Sequence, residues 1–197
     1  MILSAPNERP PAVSDADLES VRREARHRLA NVVQLLTSLV RLRARAAESD
    51  EAKAHLGWLL GAVTALGVSE KAASAGRMNL ALYLEDIGRG WERTAGEKGG
   101  SLTLEVEPVE LESARGSAVA LCAYELVDQI RRHAPDAAVT VRLQPMRLEV
   151  VADRDWPQVQ DKPGTGMALV RDLSRQAGAT VLVEGGRVCL DLAPDRN

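Results

Sequence analysis

From Leu18 onward, apolar residues return at every third or fourth position: Leu18, Val21, Ala25, Leu29, Val32, Leu36 and Leu39. That period places them on one stripe of a helix reaching roughly Ala47, with Ser14 or Asp15 suited to cap its start. The segment ESDEA interrupts the pattern, and a second stripe follows at Leu56, Leu59, Val63, Leu66 and Glu70, broken by Gly57, Gly61 and Gly67. Two such stripes in succession predict a helical hairpin. Val33, Leu35, Val40 and Leu42 widen the apolar surface of the first helix beyond a single seam. Two helices alone cannot cover that much surface, so the pattern predicts a homodimer in which two hairpins form a four-helix bundle.

After Gly76 the periodicity changes character. MNLALYLEDIGRGWERTAGEKGG reads as a third helix closed by glycines, and SLTLEVE alternates as a half-buried strand does. SARGSAVALCAYELVDQIRRHA is a long helix stopped by Pro135, and AVTVRLQ and MRLEVVA are strands joined by a short turn at Gln144 and Pro145. ADRDWPQVQDKPGTG follows as a loop, MALVRDLSRQAG as a helix ending at Gly178, and TVLVEGGRVCLDL as a hairpin turning at Gly185 and Gly186. The prediction is an α/β sandwich of antiparallel and mixed strands with helices on one face. Three segments result: a disordered lead-in at 1–14, where Pro6, Asn7, Pro10 and Pro11 precede any pattern, a hairpin at 15–76, and the α/β domain at 77–197.

A 45% apolar share is enough to build a core from 197 residues. No apolar run is long enough to span a bilayer, and the N-terminus lacks the basic and apolar regions of a signal peptide, which predicts a cytoplasmic chain with no membrane partner. A net charge of −3, no long basic block and no Phe argue against nucleic acid as a partner. Cys122 and Cys189 lie inside apolar runs without metal-ligand spacing and read as buried thiols, with no metal site. Trp58, Trp91 and Trp156 read as core or interface anchors.

The candidate chemistry lies on the first helix. His27 is about 200° around that helix from both Ala25 and Leu29, so it faces away from the apolar stripe. Glu24, Asn31, Gln34, Ser38, Arg41 and Arg45 share its face. Such a face is ordinary for an amphipathic helix, yet an exposed neutral imidazole is also a competent nucleophile whose phosphorylated form can pass its phosphoryl group to a carboxylate. Arg28 is placed to offset phosphate charge, and Asn31 to orient a water. His55 reads as a surface residue, and His133 as a helix-end residue.

These residues also carry a resemblance. EARHRLANVVQLLTSLVRLRAR resembles the phosphoacceptor box ExxHRxxNxxQxxxSLxxLxxR of HWE-like bacterial sensor histidine kinases, which implies that His27 is the phosphorylated residue. GAVTALGVSEKAA is similar to the second helix of that domain, with Ser69 where members of the class usually have His, and MNLALYLEDIGRGW is similar to the link into the ATP-binding domain. The implied fold is a dimerisation hairpin followed by a Bergerat-like α/β sandwich.

The nucleotide boxes depart from the family. ALCAYELVDQIRRHA resembles the N box and keeps its acid as Glu125, but Gln129 replaces the magnesium-binding Asn with a side chain one methylene longer. VVADRDWPQ keeps Asp153 of the adenine-reading box while Arg154, Asp155 and Trp156 stand where small residues belong. GTGM, with Gly164 and Gly166, reads either as the last glycine box or as a plain turn into a helix. The loop from Asp153 to Gly164 is short for a lid, and the chain has no Phe for the family's F box.

The resemblance therefore implies a vestigial nucleotide site (Glu125, Gln129, Asp153, Gly164, Gly166) that does not take ATP, in a histidine phosphotransferase of the ChpT type. In that reading His27 relays phosphoryl groups between response-regulator receiver domains downstream of another histidine kinase. Arg28 and Asn31 assist, while Glu24, Gln34, Ser38 and Arg41 form the docking surface. No cofactor belongs to the chain itself, and Mg2+ comes with the receiver. Only about fifteen residues precede the His27 helix, so the signal is expected from another protein. A response-regulator phosphatase or regulatory pseudokinase, centred on Asn31, is the alternative; an active small kinase is a third.

Overall fold

The computed structural model describes residues 15–95, 99–156 and 166–194; the expected lead-in at 1–14 lies outside them. Helix α1 runs from Asp15 to Ala46 and α2 from Asp50 to Ala72. They form the expected hairpin, because Ser49 between them accepts the Ala52 amide at 3.2 Å and Asp50 and Glu51 sit at the positive end of α2.

A small antiparallel sheet then connects the hairpin to the rest of the chain. Its strands β1 (Ala73–Ser74), β2 (Arg77–Asn79) and β4 (Glu110–Glu112) lie in the order β1-β2-β4. Ala75 and Gly76 turn the chain between β1 and β2 with φ of 51° and 79°, both in the left-handed region. The expected third helix is therefore shorter at its start: Met78 and Asn79 belong to β2, and α3 spans Leu80–Ala95. Asn79 caps it by accepting the Leu82 amide at 3.1 Å, a bond that competes with continuing the helix backward.

The main sheet has the order β3-β5-β6-β8-β7. It is built from β3 (Leu102–Val106), β5 (Val139–Gln144), β6 (Arg147–Ala152), β8 (Arg187–Leu192) and β7 (Ala179–Glu184). Strands β3 and β5 are parallel, and every other pairing is antiparallel. The register sets Leu104 beside Val141, Val141 beside Val150 and Val150 beside Val188, so the apolar alternation of all four strands falls on one face. Helices α4 (Ser113–His133) and α5 (Gly166–Gln176) cover that face together with α3. Leu84, Val119, Ala123, Leu143 and Leu148 meet in the layer between. The opposite face is charged: Arg142 pairs with Glu105 at 2.6 Å and with Glu149 at 3.0 Å, and Arg187 reaches Glu149 at 3.3 Å.

The turn after β5 falls on Pro145 and Met146, with Gln144 still in the strand. Gly178 (φ 62°) follows α5, and Gly185 (φ 54°) turns β7 into β8, as their positions after a helix and between alternating strands suggest. Cys122 and Cys189 are buried free thiols, as expected; burial pushes the Cys122 thiol up to about 12. Among the described residues, no helix is long and apolar enough to cross a membrane.

Candidate functional site

On α1 the positions turned toward α2 are Val33, Thr37, Val40 and Ala44, all half-buried. Taking Val33 as the reference at about 100° per residue, His27 lies about 120° to one side, and Val32 and Leu36 lie roughly 60–100° to the other. Helix α1 thus has three faces: one against α2, one apolar and exposed, one polar carrying His27. His27, Asn31, Gln34, Ser38 and Arg41 are all exposed on or beside the polar face. The Ser38 hydroxyl donates to the Gln34 carbonyl at 2.9 Å, and Arg28 pairs with Glu24 at 2.5 Å, so the Arg28 guanidinium leans along the helix toward its own N-terminus.

A groove of ≈ 580 Å³ runs beside His27 between α1 and α2. His27, Gln34 and Arg41 line it, while Glu24, Arg28, Asn31 and Ser38 do not. Arg26 and Lys71 line it too, adding cationic groups beside the imidazole that the sequence did not single out. Arg26 is one residue from His27 and could have been found by asking which α1 residues lie between the polar face and α2. Lys71 could not, because it comes from the far end of the other helix.

The second group of candidates lies on the α/β domain. Glu125 is on α4, only 1% exposed, and its carboxylate is fully engaged. The Gly166 amide, the first residue of α5, donates to Glu125 Oε1 at 3.0 Å. The Trp58 indole, from the hairpin, donates to Oε2 at 2.5 Å, and the Arg132 guanidinium approaches Oε1 at 3.3 Å. Arg132 also pairs with Asp128 at 2.7 Å. Burial raises the Glu125 carboxyl above its ordinary value, against the pull of Trp58, Arg132 and Gly166.

The structure thus brings Glu125 and Gly166 together and places Gln129, itself buried, one turn further along α4. Asp153 is elsewhere: it is exposed, next to Arg154, whose guanidinium also forks onto Asp136 at 3.2 and 3.4 Å. Trp156 folds inward to 3% exposure while its amide donates to the Gly185 carbonyl at 3.0 Å. Gly164 lies outside the described residues. Ser69, in the place of the family's second-helix His, is buried and donates to the Leu66 carbonyl. His55 is exposed, as expected, and His133, the last residue of α4, is exposed too.

Two solved structures share this arrangement. The histidine kinase domain from the Erythrobacter litoralis EL346 blue-light activated histidine kinase superposes with a TM-score of 0.62 at 19% identity, over 82% of this chain and 95% of that one. The fold is that of a histidine-kinase core. A longer structure of the same Erythrobacter litoralis kinase gives 0.58 at 23% identity over 84% of this chain, which spans only 59% of that longer protein. No protein-family model matches the sequence, and no curated protein matches it. Within the histidine-kinase core, α1 and α2 are the helical hairpin and the main sheet with α3, α4 and α5 is the ATPase-like α/β layer.

Proposed function

We propose that this protein is a dimeric histidine phosphotransferase of two-component signalling, which relays phosphoryl groups between receiver-domain aspartates through His27 without using ATP. The observation that carries the reading is the state of Glu125. Its carboxylate occupies the first amide of α5, the helix end to which a nucleotide phosphate would be drawn, and it is held there by Trp58 and Arg132. Gln129 is buried one turn along α4 and Trp156 is buried where the nucleotide-binding class has small residues, which supports a site that does not take a magnesium nucleotide. In this reading the phosphoryl donor is another protein.

His27 supports that role by its exposure. An imidazole nitrogen of His27 attacks the phosphorus of an aspartyl phosphate in line; the phosphorus–oxygen bond breaks and leaves the receiver carboxylate, while the phosphorus–nitrogen bond forms. In the second half-reaction another receiver's carboxylate attacks, and the phosphorus–nitrogen bond breaks. The receiver would bring the Mg2+ that neutralises charge during each transfer. Gln34 and Arg41, which line the groove with His27, and Glu24 and Ser38 nearby provide the docking surface. Dimerisation is supported by the second face of α1, where Val32, Leu36 and Leu39 are 45–58% exposed.

Wild type and His27→Ala incubated with radiolabelled phosphoreceivers test the reading. Label is expected on wild type and not on the variant, with none transferred from Mg-ATP alone. Label on His27→Ala, or labelling by ATP alone, would overturn it. Asn31, exposed one turn from His27, favours hydrolysis as a second activity of the same face, and loss of receiver dephosphorylation in Asn31→Ala with transfer retained would identify it.

A further inference from the structure

The same carboxylate joins three helices. Trp58 belongs to α2, Glu125 to α4 and Gly166 to α5, so one buried group ties the hairpin to the α/β domain through two oxygens that both accept hydrogen bonds. Around it α2 presents a stripe at Trp58, Ala62, Ala65 and Ser69, spaced by four and three, that packs on the α/β domain; Ala65 and Ser69 are 1% exposed. Gly61 permits the closest approach: a Cβ there would lie 1.8 Å from the Tyr124 hydroxyl oxygen, and that hydroxyl donates to the Trp58 carbonyl at 3.5 Å. Further along, the hydroxyls of Ser69 and Ser117 are 3.5 Å apart.

We infer that Trp58 and Glu125 form a strut that fixes the α/β domain at one position on the hairpin, making it a stationary second wall for the protein that docks at His27. The inference rests on the phosphotransferase reading for its functional half. A domain that swung off α2 would break the Trp58 bond and expose the apolar stripe of α2 and the surface it covers to water, so the contact opposes the motion at its origin. Arg132, bridging Glu125 and Asp128, supplies the compensating cation within the chain itself, so the closed arrangement needs no ligand to complete it. Trp58 and Glu125 are then positioning residues: neither touches the phosphoryl group, and both set where the partner can sit.

Spin labels attached through Arg45→Cys and Glu184→Cys, two exposed sites, report the separation of hairpin and α/β domain when labelled chains are diluted into unlabelled ones. The native thiols are buried and stay unlabelled. Wild type should give one narrow distance distribution. Trp58→Phe, which keeps the ring and removes the donor, should broaden it and slow phosphoryl transfer from a phosphoreceiver about tenfold, with the lifetime of the phosphohistidine unchanged. If Trp58→Phe does not fold, Glu125→Gln should broaden the distribution and slow transfer in the same way. A distribution unchanged in a folded variant, or a broadened one with wild-type transfer, overturns the strut. Wild type that accepts no phosphate ends the phosphotransferase reading instead, and the distances then decide the strut alone.

Discussion

Along α1, Val21, Val32, Leu36 and Leu39 stand 45–65% exposed, while along α4 Val119, Leu126, Val127 and Ile130 keep no more than 1%. Both helices carry enough apolar surface to need a partner. Helix α4 finds its partners in its own chain, between the main sheet and α2, α3 and α5; among the described residues α1 packs chiefly on α2, along one side. An apolar face left open over that length is expected to close on a second copy, which separates two kinds of stability in one molecule. The α/β domain and the face of α2 laid on it are held by packing within the chain, whereas the open face of α1 would be held, in the proposed dimer, by concentration.

Substitution on each helix sharpens the contrast. Leu126→Ala removes a side chain with no exposed surface from the centre of the α/β layer and should cost about 2–5 kcal/mol of unfolding free energy, read as a lower denaturant midpoint. Leu36→Glu, on the open face of α1, should turn the proposed dimer into a monomer by light scattering. Its effect on the unfolding of the α/β domain should stay within about 0.5 kcal/mol. If Leu36→Glu remained dimeric while the domain melted early, the division between the two regions would be wrong.

The same division explains what could be read from the sequence. Strand β5 alternates along its length, while β6 and β8 each bury three residues in succession; turns at Pro145 and at Gly185 mark where these strands pair, so punctuation locates them where the period is imperfect. Strands β1, β2 and β4 are two or three residues long, too short to show a period, and Ala75 takes a left-handed turn position without being Gly or Asn. For the site, the exposure of His27 followed from helical geometry alone. The bond from Trp58 to Glu125 did not, because it joins residues 67 apart and depends on how α2 lies on α4. Its trace in the sequence is the spacing of small residues at Gly61, Ala62, Ala65 and Ser69, which marks a helix face built for close approach but not what approaches it.

The smallest effect probes the contact between the two regions. The Glu125 carboxyl is raised from 4.5 by burial, while an unfolded chain would leave it near its ordinary value. Between those two pKa values the folded state binds more protons than the unfolded one, so stability declines as pH rises through that window and is greatest below it. Asp128, raised from 3.8 chiefly by burial, contributes in the same direction. Glu125→Gln removes one of these titrations and leaves the other, so its denaturant midpoint should fall less steeply than that of wild type as pH rises from about 4.5 toward neutrality. Parallel curves for the two proteins would mean that Glu125 keeps its unfolded pKa in the folded state. In that case the hydrogen bonds from Trp58 and Gly166 would fully offset burial, and the junction between hairpin and domain would be more favourable when charged than its seclusion implies.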